Sequence, residues 1–257
     1  MHNLKIALVQ THLHWEDVQA NLEHFSNKLD QLQEVVDLAI LPEMFTTGFA
    51  MQPVGVAQTM DSPVLDWFKS QSTLRQCTLC GSVAIEDGGK YYNRTLWVEP
   101  NGSVSWYDKR HLFAYGGEDK QYSSGTSRVI TKCGDWRVLL QICYDLRFPV
   151  FSRNRNDYDC VVYCANWPTP RRHAWNTLLT ARAIENQVYS VGINRIGNDG
   201  NSLSYSGDSA VYDPLGQRVL DLGELDSVAG CTLSASHLLQ VREEFPFLSD
   251  ADQFEML

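Results

Sequence analysis

The chain has 257 residues, 44% of them hydrophobic and 20% charged, with a formal net charge of −10 at pH 7. That length suits one α/β domain with a sizeable core, and that balance is the composition of a soluble globular protein. The acidic excess gives no basic footprint to a nucleic acid or an anionic membrane surface, and no apolar run approaches the roughly 18–20 residues of a spanning helix.

The opening residues, MHNLKIALVQ, lack the long apolar stretch and small-residue cleavage site of a signal peptide, so a cytoplasmic protein is expected. Leu4–Val9 reads as a first strand. Asp17–Gln33 is helical in period, with Val18, Leu22, Phe25, Leu29 and Leu32 at three- and four-residue steps. Asp37–Leu41 is a second strand, stopped by Pro42 and Glu43. Such a β-α-β opening implies parallel strands joined by a crossover helix, and functional groups in these sheets gather at the carboxyl ends of strands. Glu43 falls at one such end, although taken alone it is equally a solvated loop carboxylate.

Ser62-Pro63 opens a helix through about Gln76, with Ser as N-cap and Pro at the first helical position. Strand-like runs at Thr78–Glu86, Tyr91–Glu99 and Ser103–Asp108 are separated by Gly88-Gly89 and Asn101-Gly102, which predicts antiparallel hairpins. Lys109 follows the last of these, a position where an isolated lysine is usually a surface charge. Residues 114–128 have loop composition, with Glu118 behind Gly116-Gly117.

The run Val138–Ile142 is a buried strand in length and composition, and it ends at Cys143. Pro149 suits the first turn of a helix, so Cys143 sits at a strand-to-turn junction where nearby N–H groups can stabilise a thiolate or an oxyanion. The plain alternative is a buried structural cysteine. Phe148–Asn156 reads as a short helix, Asp159–Ala165 as a buried strand ending in Asn166-Trp167-Pro168, and Arg172–Gln187 as a helix. Tyr189–Asn194 is a strand, Gly197–Gly200 a turn, and Asp208–Asp213 with Gln217–Asp221 a hairpin. Ser227–Leu233 is a strand, and Ser234 N-caps a helix to about Glu244. With no linker or repeat, a single domain over residues 1–257 is expected.

Seven cysteines at 77, 80, 133, 143, 160, 164 and 231 have no framework spacing and read as free thiols. Alternation along a strand puts Cys77 and Cys80 on opposite faces, which argues against redox or zinc work by that CxxC pair. Cys160 and Cys164 read as core.

A carboxylate (Glu43), an amine (Lys109) and a thiol (Cys143) thus fall at successive strand ends. Acyl transfer through a thioester uses such a set: a cysteine nucleophile, a carboxylate to take its proton and later activate water, and a fixed ammonium facing the oxyanion. None of the seven histidines is an obvious partner for the thiol, although His111 and His173 stay open as candidates.

LPEMF around Glu43, YDKRHLF around Lys109 and ICYDLRFP around Cys143 resemble, in that order, the three signature segments of the nitrilase (carbon–nitrogen hydrolase) superfamily. The likeness extends over about residues 4–245, and ANWPTPRRHAW, LLTARAIENQ, NRIGNDG and YSGDS look most like the bacterial omega-amidases. The resemblance implies an α/β fold, the nitrilase-like αββα sandwich, four-layered as αββα–αββα in a homodimer. It implies Glu43 as general base, Lys109 as oxyanion stabiliser, Cys143 as nucleophile and the Tyr144 backbone N–H as second oxyanion donor. Glu118 would match the family's second glutamate, in a loop of variable length. No metal or organic cofactor is implied. The expected partner is a small-molecule amide: the omega-amidases cleave the terminal amide of short α-keto acid amides such as α-ketoglutaramate and α-ketosuccinamate. A substrate carboxylate needs a cation or converging N–H donors, for which Arg147, Arg171 and Arg172 are candidates, with Trp167 as a pocket wall. Arg147 is equally open to a structural ion pair, and Trp167 to the core. Two alternatives share these residues: another carbon–nitrogen hydrolase (a nitrilase, carbamoylase or aliphatic amidase), and a non-catalytic binding protein on the same fold.

Overall fold

The expected β-α-β opening is present: β1 (Leu4–Gln10), α1 (Val18–Leu29) and β2 (Leu38–Ile40) lead through α2 (Pro63–Arg75) to β3 (Thr78–Asp87), and β1, β2 and β3 pair in parallel. The computed structural model describes residues 1–255, so Met256 and Leu257 of the C-terminal tail lie outside the described residues. The glycine and Asn-Gly turns then fold β4 (Lys90–Val98) and β5 (Val104–Asp108) back as antiparallel hairpins. A second sheet grows around β7 (Trp136–Ile142), β8 (Cys160–Ala165) and β9 (Tyr189–Asn194), again parallel. It is edged by β6 (Ile130–Cys133) on one side and by β12 (Ala210–Tyr212) and β13 (Arg218–Asp221) on the other. β14 (Ser227–Leu233) returns to lie antiparallel to β1, giving the orders β14-β1-β2-β3-β4-β5 and β13-β12-β9-β8-β7-β6.

Alternation along the strands decides the layers. Ile6, Leu8, Ile40 and Trp97 of the first sheet meet Val138, Leu140, Ile142, Val162 and Val191 of the second. The opposite faces carry helices: Ala7, Val9 and Leu79 pack with Phe25 of α1 and Phe68 of α2. Leu139, Val161 and Tyr163 pack with Trp175 and Leu179 of α4 (Arg172–Asn186). The result is the αββα sandwich, stabilised by about 1.5–3 kcal/mol for each large apolar side chain fully buried. Gly192 lets α4 approach β9 closely, since a Cβ there would lie 2.5 Å from Leu179 and 2.6 Å from Trp175. Cys77 and Cys80 do lie on opposite faces of the first sheet, and Cys160 and Cys164 are core.

Several boundaries differ from the sequence reading. α1 stops at Leu29 because Asp30 turns back on Ser26 and Lys28, although Leu32 still packs against the same apolar cluster. The helix expected over 148–156 is only α3 (Pro149–Ser152). The Gly197–Gly200 turn belongs to a separate hairpin of β10 (Ile196–Asn198) and β11 (Ser204–Ser206). Ser234 caps α5 (Ala235–Glu244) by accepting from His237 N at 3.2 Å, whereas the Ser62 hydroxyl makes no cap bond and α2 starts on its proline alone.

Candidate active site

Strands β2, β5, β7 and β8 deliver their carboxyl ends to one place, where the edges of the two sheets meet. Glu43 N donates to Ala165 O at 3.4 Å, Asn166 N donates to Glu43 Oε2 at 2.7 Å, and Asn166 Nδ2 donates to Glu43 O at 2.6 Å. Lys109 Nζ lies 2.9 Å from Glu43 Oε1 and 2.9 Å from Glu118 Oε2, and all three side chains are fully buried. Glu118 reaches this point from a loop turn and is pinned by Phe113 N at 2.6 Å. Buried ions of this kind persist only when their remaining lone pairs and protons are also satisfied. Asn93 supplies that, donating to Glu43 Oε1 at 2.7 Å and Glu118 Oε1 at 3.1 Å while its own oxygen accepts from Ser82 Oγ at 2.8 Å.

Cys143 opens a 3-10 turn directly after β7 and adopts φ +42°, the left-handed region where a side chain is strained. Asp145 holds that turn. Its Oδ2 accepts from Ile142 N at 2.9 Å and Tyr107 OH at 2.8 Å, and its Oδ1 accepts from His111 N at 2.9 Å. His111 therefore serves the turn's anchor and not the thiol. Tyr144 follows in the first turn, whose leading N–H groups have no partner within the helix.

Electrostatics separate the roles. Burial and then the Glu43 charge push the Cys143 thiol well above its ordinary range, against the pull of Lys109, which favours its protonated form. Burial favours a neutral Lys109, but Glu118 and Glu43 outweigh it and keep the ammonium charged. Glu118 is itself raised by burial, against the pull of Lys109.

A pocket opens over Cys143, lined by Phe49, Phe113, Tyr144, Trp167 and Tyr205 together with Lys109, Arg147 and Arg171. The Arg147 guanidinium lies 4.9 Å over the Trp167 ring and that of Arg171 5.1 Å over Phe113. Trp167 Nε1 donates to Arg171 O at 2.8 Å. Among the described residues no carboxylate lies within ion-pair distance of either guanidinium. Arg172 is placed elsewhere, bridging Asp208 and Glu224 at 2.6 Å each, outside the pocket lining. Asn93 and Asn166 were not singled out from sequence. Asn93 lies in mid-β4 beside Arg94, with no local mark of its role.

Residues 5–238 match the carbon–nitrogen hydrolase family. The chain belongs to that family. Among its members, the omega-amidase YafV of Escherichia coli is 45% identical over the whole of both chains. The 2-oxoglutaramate amidase of Bacillus subtilis is 26% identical over 95% of this chain and 96% of its own. The crystal structure of XC1258 from Xanthomonas campestris, a CN-hydrolase superfamily protein with an arsenic adduct in its active site, superimposes with a TM-score of 0.98 at 42% identity, covering both chains completely.

Proposed function

We propose that this carbon–nitrogen hydrolase is an omega-amidase that releases ammonia from the terminal amide of short α-keto acid amides such as α-ketoglutaramate. The observation that carries the reading is the pair Arg147 and Arg171. Both line the pocket that holds Cys143, and neither is neutralised by a carboxylate among the described residues. A substrate carboxylate desolvated in that pocket gains a charge-assisted partner, often bidentate with arginine. Full-length similarity to an omega-amidase and to a 2-oxoglutaramate amidase supports the same substrate class.

The chemistry follows from the thiol, carboxylates and ammonium gathered at this site. As Cys143 Sγ attacks the amide carbonyl, its proton passes to Glu43. The oxyanion is met by the Lys109 ammonium and the Tyr144 N–H. Collapse of the tetrahedral species breaks the C–N bond, with the proton on Glu43 going to the leaving ammonia, and leaves a thioester on Cys143. Water, deprotonated by Glu43, then cleaves the thioester and returns the thiol. Glu118 and Glu43 keep Lys109 charged, and Asn93 holds those two carboxylates in place. Pairing of two copies into a four-layer homodimer is part of the same proposal, and light scattering of the eluted protein measures it.

The test is ammonia release from α-ketoglutaramate set against glutamine, an uncharged short amide and a simple nitrile. Preference for α-ketoglutaramate is expected. Preference for the uncharged amide or the nitrile sinks the omega-amidase reading and leaves the broader hydrolase.

A further inference from the structure

Away from the pocket, three imidazoles stand together with no part in the chemistry above. His12 and His14 lie on the loop after β1, and His24 lies on α1. One ring nitrogen from each falls within 4.8 Å of the other two. The ring centroids are 4.4 Å apart for His12–His24, 5.1 Å for His12–His14 and 5.5 Å for His14–His24.

The loop is built to hold them there. Leu13 is buried between His12 and His14, which turns both neighbours outward, and His14 is exposed while His12 and His24 are partly so. Asn21, fully buried on α1, accepts from His14 N at 2.8 Å and donates to His14 O at 2.7 Å and Thr46 O at 2.8 Å. His24 follows three residues later on the same helical face. The Thr11 hydroxyl meets His24 Nε2 at 2.8 Å, so it can accept from Nε2–H while Nδ1 binds a ligand, or give way while Nε2 does. The Asp226 carboxylate stands at the edge, 3.8 Å from His12 Nδ1 and 2.7 Å from Lys28 Nζ.

Apolar packing gives little reason to crowd three polar, partly exposed rings, and their protonated forms repel. We propose that His12, His14 and His24 bind one divalent transition-metal ion, of the zinc type, with Asp226 or water as fourth ligand. Imidazole nitrogens suit zinc, nickel and copper. Zinc–nitrogen bonds of about 2.0–2.1 Å put tetrahedral ligand atoms about 3.3 Å apart, so closure on the ion asks each ring to move by about 1 Å. The ion would fasten the β1 loop to α1. It would lie outside the lining of the Cys143 pocket, as a structural ion and not a reagent.

Titration of the untagged full chain with Zn²⁺ tests this. Calorimetry should show one tight site per chain, with the thermal midpoint raised by about 5–10 °C at 100 times Kd. The double variant His12→Gln/His14→Gln alters only ring groups that face outward. It should lose about 100-fold or more in affinity together with the thermal shift, and keep its amidase activity. With Co²⁺ in place of Zn²⁺, the wild-type chain should give the visible spectrum of a nitrogen-ligated tetrahedral ion. A thiolate charge-transfer band, binding undiminished in the double variant, or no saturation by about millimolar Zn²⁺ would each overturn the site.

Discussion

Asp159 and Glu43 are both carboxylates held almost wholly out of water beside a strand, Asp159 just before β8 and Glu43 just after β2. Asp159 receives two cations: Arg137 through Nε at 2.9 Å and Nη2 at 2.8 Å, and Arg242 through Nη1 at 2.8 Å. Burial would raise its pKa, but hydrogen bonds from Arg137 and Arg242 win, so it is lowered, while its hydrogen bond raises Arg137. Asp159 and Arg137 are each pressed further into the charge they already carry. Around Glu43 the ratio is inverted: two carboxylates and a thiol share the single ammonium of Lys109, and Cys143 and Glu118 are pushed toward their protonated forms. The amino edge of the sheet fixes charge in place, and the carboxyl edge holds a thiol and a carboxyl toward their protonated forms.

The sharpest way to break this contrast is Cys143→Ser. A hydroxyl is far harder to deprotonate than even a raised thiol, so kcat should fall by at least ~10³-fold with the fold retained. Acid-quenched wild-type enzyme should carry an acyl adduct on the peptide containing Cys143, and an adduct on another cysteine refutes the assignment. Glu43→Gln comes next. It keeps an oxygen for Asn166 N and removes the base, so kcat should drop by about 10²-fold or more. Circular dichroism must show the variant folded, and a folded variant with near-normal turnover would remove Glu43 from the chemistry.

The pocket cations should give a smaller, selective effect. Replacing whichever of Arg147 and Arg171 binds the substrate carboxylate with Gln should lower kcat/KM for α-ketoglutaramate by about 10- to 100-fold more than for an uncharged amide, the range of a charge-assisted hydrogen bond. A parallel loss on both substrates in both variants would place the anchor elsewhere. Asp159→Asn should leave turnover within about twofold and lower the thermal midpoint by several degrees at neutral pH. Because the folded Asp159 titrates below its ordinary 3.8, its contribution is present above that pH and is lost as pH falls through the lowered value. The gap in melting between wild type and Asp159→Asn should therefore close below about pH 4. A constant gap would mean that charge is not what Asp159 contributes.

Much of the carboxyl edge was legible in the chain because strand ends are marked by Pro42, by the Tyr144–Pro149 segment and by Asn166-Trp167-Pro168. Glu43 and Lys109 leave one sheet edge because β2 and β5 point the same way, which the β-α-β order and the hairpins dictate, and Cys143 ends β7 of the facing sheet. Asn93 escaped because it stands mid-strand. Its place in the site comes from the register that sets it opposite Ala84, a cross-strand fact with no local signature. Arg171 and Arg172 are neighbours in sequence, yet only one lines the pocket, because α4 begins between them and turns the second toward Asp208. β10 and β11 are three residues each, too short to show a period. The Asp159 knot joins residues as far apart as Arg137 and Arg242, a distance no motif spans.

The left-handed backbone of Cys143 has a consequence for how such a chain can change over generations. A cysteine at φ +42° is less stable than a glycine would be there, and Asp145 spends its hydrogen bonds keeping the turn closed around it. Folding alone would favour glycine at this position, and the proposed reaction supplies a reason for a thiol there. A descendant released from catalysis gains stability by losing this one side chain. It could keep its sheets, its helices and the Asp159 knot while the thiol disappears.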